Sequence, residues 1–131
     1  MCIRDSLEDK LKKIIYEVFE SLAIAEGKVH GIKSDDVHFH EIGAIDSLVD
    51  ILVVCAALNY LNPKKVYCNK PMLGKGFVQT EHGKLSVPPP AVIELITQKN
   101  IKVLSSLNSI DGELSTPVSY THLTLPTILL V

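Results

Sequence analysis

The densest group of chemically capable side chains is Val37-His38-Phe39-His40-Glu41-Ile42-Gly43-Ala44-Ile45-Asp46-Ser47-Leu48-Val49-Asp50. Val37 to His40 alternates apolar and polar residues, the pattern of a short strand, and residues two apart on a strand share a face. His38 and His40 would therefore point the same way, with Glu41 in the connecting turn. A helix beginning near Asp46 puts Asp46 and Asp50, four apart, on one face as well. Two imidazoles and up to three carboxylates gathered across one turn suit a borderline divalent metal such as nickel, zinc, manganese or iron. Ligand type alone does not choose among these.

The same residues admit a plainer account. Ser47 as a helix N-cap, with Asp50 three residues on, resembles a capping box. Acidic groups near a helix N-terminus also favour its dipole. That explains Asp46 and Asp50, but not two histidines on one strand face beside a glutamate. On spacing alone, a metal or acid–base site and a structural role both stay open.

Other candidates are weaker. Glu26 and His30 lie four apart near the end of a predicted helix, where an ion pair and the dipole account for them without a ligand role. His82 sits at a predicted hairpin tip beside Glu81, an ordinary place for a turn histidine. Gly74-Lys75-Gly76 could offer backbone amides to a phosphate, but lacks the longer glycine–lysine spacing of a P-loop, so turn chemistry is the better reading. Asp111-Gly112-Glu113 is likewise a turn first. No Ser/His/Asp or Cys/His arrangement can be argued from spacing.

The elements that must position these residues follow from periodicity. From Leu7 to about His30, Leu11, Ile15, Val18, Leu22, Ala25 and Val29 recur at intervals of four and three, one face of a helix stopped by Gly31. A second helix over about Asp46 to Leu61 is apolar almost all round after Asp50 and is expected to be buried; Asn62-Pro63 stops it. Lys65 to Cys68 reads as a strand. Phe77 to Glu81 and Lys84 to Val87 flank His82-Gly83 as a hairpin. Pro90 opens a helix to about Lys99, and Ile101 to Leu104 reads as a last strand. The expected fold is α/β or α+β, one domain with a small mixed sheet packed against three helices.

Composition bounds the rest. At 131 residues, 47% of them hydrophobic, the chain suits one modest core. A net charge of -2 argues against nucleic-acid binding, and the basic runs, Lys10, Lys12 and Lys13 among acidic residues and the pair Lys64-Lys65, read as solvated faces. The longest apolar run, Ile51 to Leu58, is too short to cross a bilayer. Three scattered cysteines without a secretory signal point to a reducing cytoplasm. Met1-Cys2-Ile3-Arg4-Asp5-Ser6 and Val118-Ser119-Tyr120-Thr121-His122-Leu123-Thr124-Leu125-Pro126-Thr127 resemble translated sequencing-adapter sequence. Residues 1–6 and 118–131 are therefore expected to be non-native ends, and Cys2 and His122 carry no functional weight here.

Several strings resemble the LarC family of nickel-insertion proteins. They are Leu22-Ala23-Ile24-Ala25-Glu26-Gly27-Lys28-Val29-His30-Gly31, the histidine block from Val37 to Asp50, Val66-Tyr67-Cys68, Leu73-Gly74-Lys75-Gly76-Phe77-Val78, His82-Gly83-Lys84-Leu85-Ser86-Val87-Pro88-Pro89-Pro90-Ala91 and Gly112-Glu113-Leu114-Ser115-Thr116-Pro117. The likeness covers nearly all of residues 7–117, a fragment of the nickel-insertion domain. It implies an enzyme, of the metal-chelatase lyase type, that inserts Ni2+ into pyridinium-3,5-bisthiocarboxylic acid mononucleotide with hydrolysis of CTP, building the nickel-pincer cofactor of lactate racemase-type enzymes. By that resemblance His38, His40, Glu41, Asp46 and Asp50 would hold or pass on nickel, with Glu26, His30 and His82 second to them. CTP and its Mg2+ or Mn2+ would bind a C-terminal domain beyond this fragment, so the fragment alone is expected to be inactive, and homo-oligomers are possible. The alternative is a non-catalytic nickel metallochaperone or storage module. A His-x-His strand also opens metal-dependent hydrolase barrels, but those need around 250 residues.

Overall fold

The computed structural model describes residues 8–39, 45–80, 83–104, 110–123 and 128–130. Helix α1 runs Asp9–His30 and carries the stripe its spacing demands: Leu11, Val18, Leu22 and Ala25 are buried. Asp9 stands in the first turn and Lys28 and His30 in the last, each sign matching the dipole at its end. Gly31 ends the helix in the left-handed region, φ 68°, its N–H donating to the Gly27 carbonyl. Val29, last of the stripe, stays 41% exposed.

A single 3-10 turn, Ser34–Asp36, follows, and then the extended residues 37–39. No strand forms over 37–39, contrary to the alternation. Alternating side chains need a neighbouring strand to become a ladder, and Phe39 instead packs on Phe19 of α1, ring centroids 6.3 Å apart. Helix α2 spans Ile45–Leu61, and Asn62, at φ 42°, with Pro63 terminates it.

The expectation that α2 is buried all round is corrected. Ile51 and Cys55 are fully buried, but Ile45 is 79%, Val53 59% and Tyr60 88% exposed. Hydrophobicity sets how much a helix gains by being covered, not whether a partner is there; among the described elements, α1 and the later helix α4 are the main ones packed on α2.

Strand β1, Val66–Cys68, falls where expected and pairs in parallel with β4, Ile128–Leu130. Strands β2, Gly76–Thr80, and β3, Gly83–Val87, make the antiparallel hairpin. Thr80 pairs with Gly83, so the connection is residues 81–82 and not His82-Gly83. Ile101 to Leu104 contributes an isolated bridge, Leu104 with Met72, rather than a strand. Helix α3, Pro90–Gln98, opens on its proline as the sequence directs.

Helix α4, Pro117–Leu123, raises the helix count above the expected three. It too begins on a proline, and it seats Val118 and Tyr120 in the core. Most of α4 and all of β4 fall in residues 118–131; their packing describes where they sit, not where they came from. The fold class is the expected small mixed α/β domain, its described strands forming two two-stranded sheets. Its core gathers Leu11, Val18 and Leu22 of α1, Ile51 and Cys55 of α2, and Val92 and Leu95 of α3. Each large aliphatic side chain buried there contributes about 1.5–3 kcal/mol.

The loop at residues 72–76 is held by a close crossing. Gly74 is buried so tightly that a Cβ there would lie 1.9 Å from the Gly112 carbonyl oxygen. The Lys75 N–H donates to the Ile110 carbonyl, and the Gly112 N–H to the Lys75 carbonyl.

Candidate metal site

The end of α1 sets the position of the histidine block. Gly27 is buried, and a Cβ there would meet the Ile32 carbonyl oxygen at 2.8 Å. Only glycine lets the chain fold back this closely, with the Ile32 N–H donating to the Gly27 carbonyl at 2.9 Å. From Gly27 the chain retraces α1 as far as Phe19, where Phe39 anchors it. His38 precedes that anchor and is exposed, its imidazole on the outside of the returning segment.

Helix α2 then begins at Ile45, one residue earlier than the spacing suggests, so Ser47 lies inside the first turn and is not the N-cap. Asp46 takes part of that work: its Oδ1 accepts the Ser47 N–H at 2.8 Å. A carboxylate so placed satisfies one of the first-turn amides and sits well with the dipole. Asp50 lies one turn on and exposed, on the same side as Asp46. The two aspartates therefore have the juxtaposition the sequence implies, and both stand open to solvent. His40 and Glu41, which would join them to His38, lie outside the described residues, as do Glu81 and His82 of the hairpin tip.

Glu26 and His30 do meet. His30 Nε2 lies 3.4 Å from Glu26 Oε2, the Glu26 side chain 19% exposed. This is the i,i+4 contact expected from spacing, and it holds whether or not the pair serves as a ligand. Beside it, Lys28 forms an ion pair with Glu94 that ties α1 to α3. Among the described residues no group of three or more His, Cys, Asp or Glu side chains is close enough to hold a metal ion.

Two other groups are set aside by their surroundings. Cys55 is buried among aliphatic side chains, which pushes its thiol above the usual range and disfavours the thiolate a metal would need. At Gly74-Lys75-Gly76 the Lys75 amide is spent on Ile110, and its ammonium lies 3.7 Å from Asp111. A phosphate cradle needs those groups free, so turn chemistry is what the loop does. The residue that spacing alone undervalued is Gly27. A glycine inside a strong helical stripe was the signal available for it.

The chain matches the family model described as nickel insertion protein over residues 1–124. It is 43% identical over 112 residues to the pyridinium-3,5-bisthiocarboxylic acid mononucleotide nickel insertion protein of Acetivibrio thermocellus, covering 86% of this chain and 27% of that protein. With the protein of the same name from Thermotoga sp. (strain RQ2) it shares 48% identity over 90 residues, 69% of this chain and 22% of that one. The chain thus spans about a quarter of the length of these relatives. No solved structure matches it.

Proposed function

The chain belongs to the nickel insertion protein family, and from that premise we propose that it is the metal-handling segment of an enzyme that places nickel in pyridinium-3,5-bisthiocarboxylic acid mononucleotide. The observation that carries this reading is the family match together with the histidine block it contains. Nickel here is substrate, passed onward rather than kept. Imidazole and carboxylate ligands suit that task because they bind firmly yet exchange, whereas the sulfur ligands belong to the product.

His38, His40, Glu41, Asp46 and Asp50 are the proposed nickel-handling set, with Glu26, His30 and His82 as further candidates. Asp46 and Asp50 lie exposed on one side of α2, His38 lies exposed on the segment leading to it, and Glu26 and His30 form a pair at the end of α1. Residues 7–117 are the proposed functional segment, and 1–6 and 118–131 take no part. The relatives align over 90 to 112 residues, a length comparable to that segment, while the family model matches residues 1–124.

Hydrolysis of CTP, with Mg2+ or Mn2+, falls to a C-terminal domain beyond this segment. The loop at 74–76 does not fit a triphosphate, and no step is assigned to these residues through the nucleotide. Alone, the chain would bind nickel without turnover, in the cytoplasm, on the way to a nickel-pincer cofactor of the lactate racemase type.

The second reading is a metallochaperone or storage module without catalysis. A requirement for CTP in the full-length protein separates the two, since delivery needs no nucleotide hydrolysis.

The test is a calorimetric titration with nickel of this chain beside a His38→Ala/His40→Ala variant. The proposal expects binding by the parent and its loss in a variant whose circular dichroism is unchanged. Equal binding by both would remove His38 and His40 from the site, and no binding by either would confine nickel handling to the longer protein.

A further inference from the structure

Helix α2 presents two apolar faces. Ile51 and Cys55, four apart, are buried against the core. On the opposite side Ile45, Val49, Val53 and Tyr60 recur at intervals of four and seven, and they are exposed by 79%, 47%, 59% and 88%. That repeat is the seam of a packed helix, not the polar face of a surface one. Asp46 and Asp50 lie along one edge of it, and residues 45–61 contain no Lys or Arg.

Two further observations say what covers it. Matched relatives are about four times as long as the segment they share with this chain. The β2–β3 hairpin is a two-stranded sheet among the described residues, and a sheet of that size gains independent stability only with more strands or a covering layer. The second face of α2 and the hairpin are thus unfinished in the same sense.

We propose that the outer face of α2 is an internal docking face, covered in the full-length protein by an apolar surface of the polypeptide that relatives carry beyond this segment. Helix α2 is then a central helix, packed on both sides. Asp46 and Asp50 lie at the rim of that junction and not on open surface.

The experiment compares thiol labelling in two proteins by peptide mass spectrometry. One is this chain with Val53→Cys in a Cys2→Ser/Cys68→Ser background, where buried Cys55 reports that the fold is intact. The other is the full-length Acetivibrio thermocellus protein with a cysteine at the position aligned with Val53. Tyr16→Cys, on an exposed turn of α1, and its aligned counterpart give the rate for an open site. The proposal expects fast labelling at Val53 in this chain and labelling at least about tenfold slower in the full-length protein, with Tyr16 unchanged. Ala57→Cys, a smaller change on the same exposed side, repeats the comparison should Val53→Cys disturb folding.

Equal rates in the two proteins would overturn the proposal. So would a dimer of this chain, seen by light scattering and dissociated by Val53→Glu, whose Val53 site is protected to the same degree. That result would assign the face to a second copy. Nickel takes no part in the measurement, so either outcome leaves the metal-handling reading to its own test.

Discussion

Helices α1 and α2 are neighbours in one core and obey different rules. Helix α1 is amphipathic: its buried side chains lie on one stripe, with Gly27 buried apart from them against the returning chain, and its ends are marked by Asp9 and Gly31. Helix α2 is far more apolar, yet among its side chains only Ile51 and Cys55 are buried. The more hydrophobic helix is the less buried one. Periodicity reports which face wants cover, and cover itself depends on what else is folded nearby.

The largest effects should separate buried from open faces rather than one helix from the other. Leu22→Ala in α1 and Ile51→Ala in α2, both fully buried, should each cost about 2–5 kcal/mol in denaturant unfolding. Val53→Ala, on the open side of α2, should stay within about 0.5 kcal/mol. A Val53→Ala cost comparable to Ile51→Ala would mean that face is already covered in this chain.

A smaller effect should mark the end of α1. Gly31→Ala forces a Cβ into the left-handed region and should cost about 1–2 kcal/mol. A neutral result would show that the turn back toward Phe19 does not depend on this cap.

The smallest is a pH dependence from the buried side of α2. Burial raises the Cys55 thiol above its ordinary 9.0, so the folded chain holds that proton more tightly than the unfolded one. The contribution is fully present below pH 9.0 and is lost as pH rises from there toward the folded value. Unfolding midpoints should be flat near neutrality and fall above about pH 9, by at most about 1.4 kcal/mol per pH unit from this group. Tyr120, also raised by burial, adds to the fall above 10.0. Cys55→Ala should lower stability at neutral pH and remove the first part of the slope.

Legibility divided along the same line. The α1 stripe, its Gly31 stop, the Pro90 start of α3 and the hairpin were readable because each is a local rule. The alternation at 37–39 gives no strand because extended alternation becomes a strand only beside a partner, and α1 offers Phe39 an aromatic contact instead. The hairpin register slipped by one because glycine drew the turn toward itself, whereas Gly83 pairs with Thr80 as the first residue of β3. Ile101 to Leu104 has strand composition but only Met72 across from Leu104. Helix α4 starts on Pro117, a readable signal, and runs through residues whose adapter-like pattern masks the helix in the sequence. For the site, the residue types and the pairing of Asp46 with Asp50 came from spacing. Their meeting with His40 and Glu41 depends on residues 40–44, which lie outside the described set.

The glycine crossing at residues 74 and 112 has a mechanical meaning. Its hydrogen bonds between Lys75, Ile110 and Gly112 fasten both ends of the stretch that contains the hairpin and α3. A chain pulled from its termini would carry the load on this clasp, and the stretch behind it would feel no tension while the clasp held. Its release would add the hidden contour of residues 75–112, roughly 120–130 Å at about 3.4 Å per residue. The tight fit that Gly74 permits thus makes that stretch a stored length, shielded until the crossing gives way.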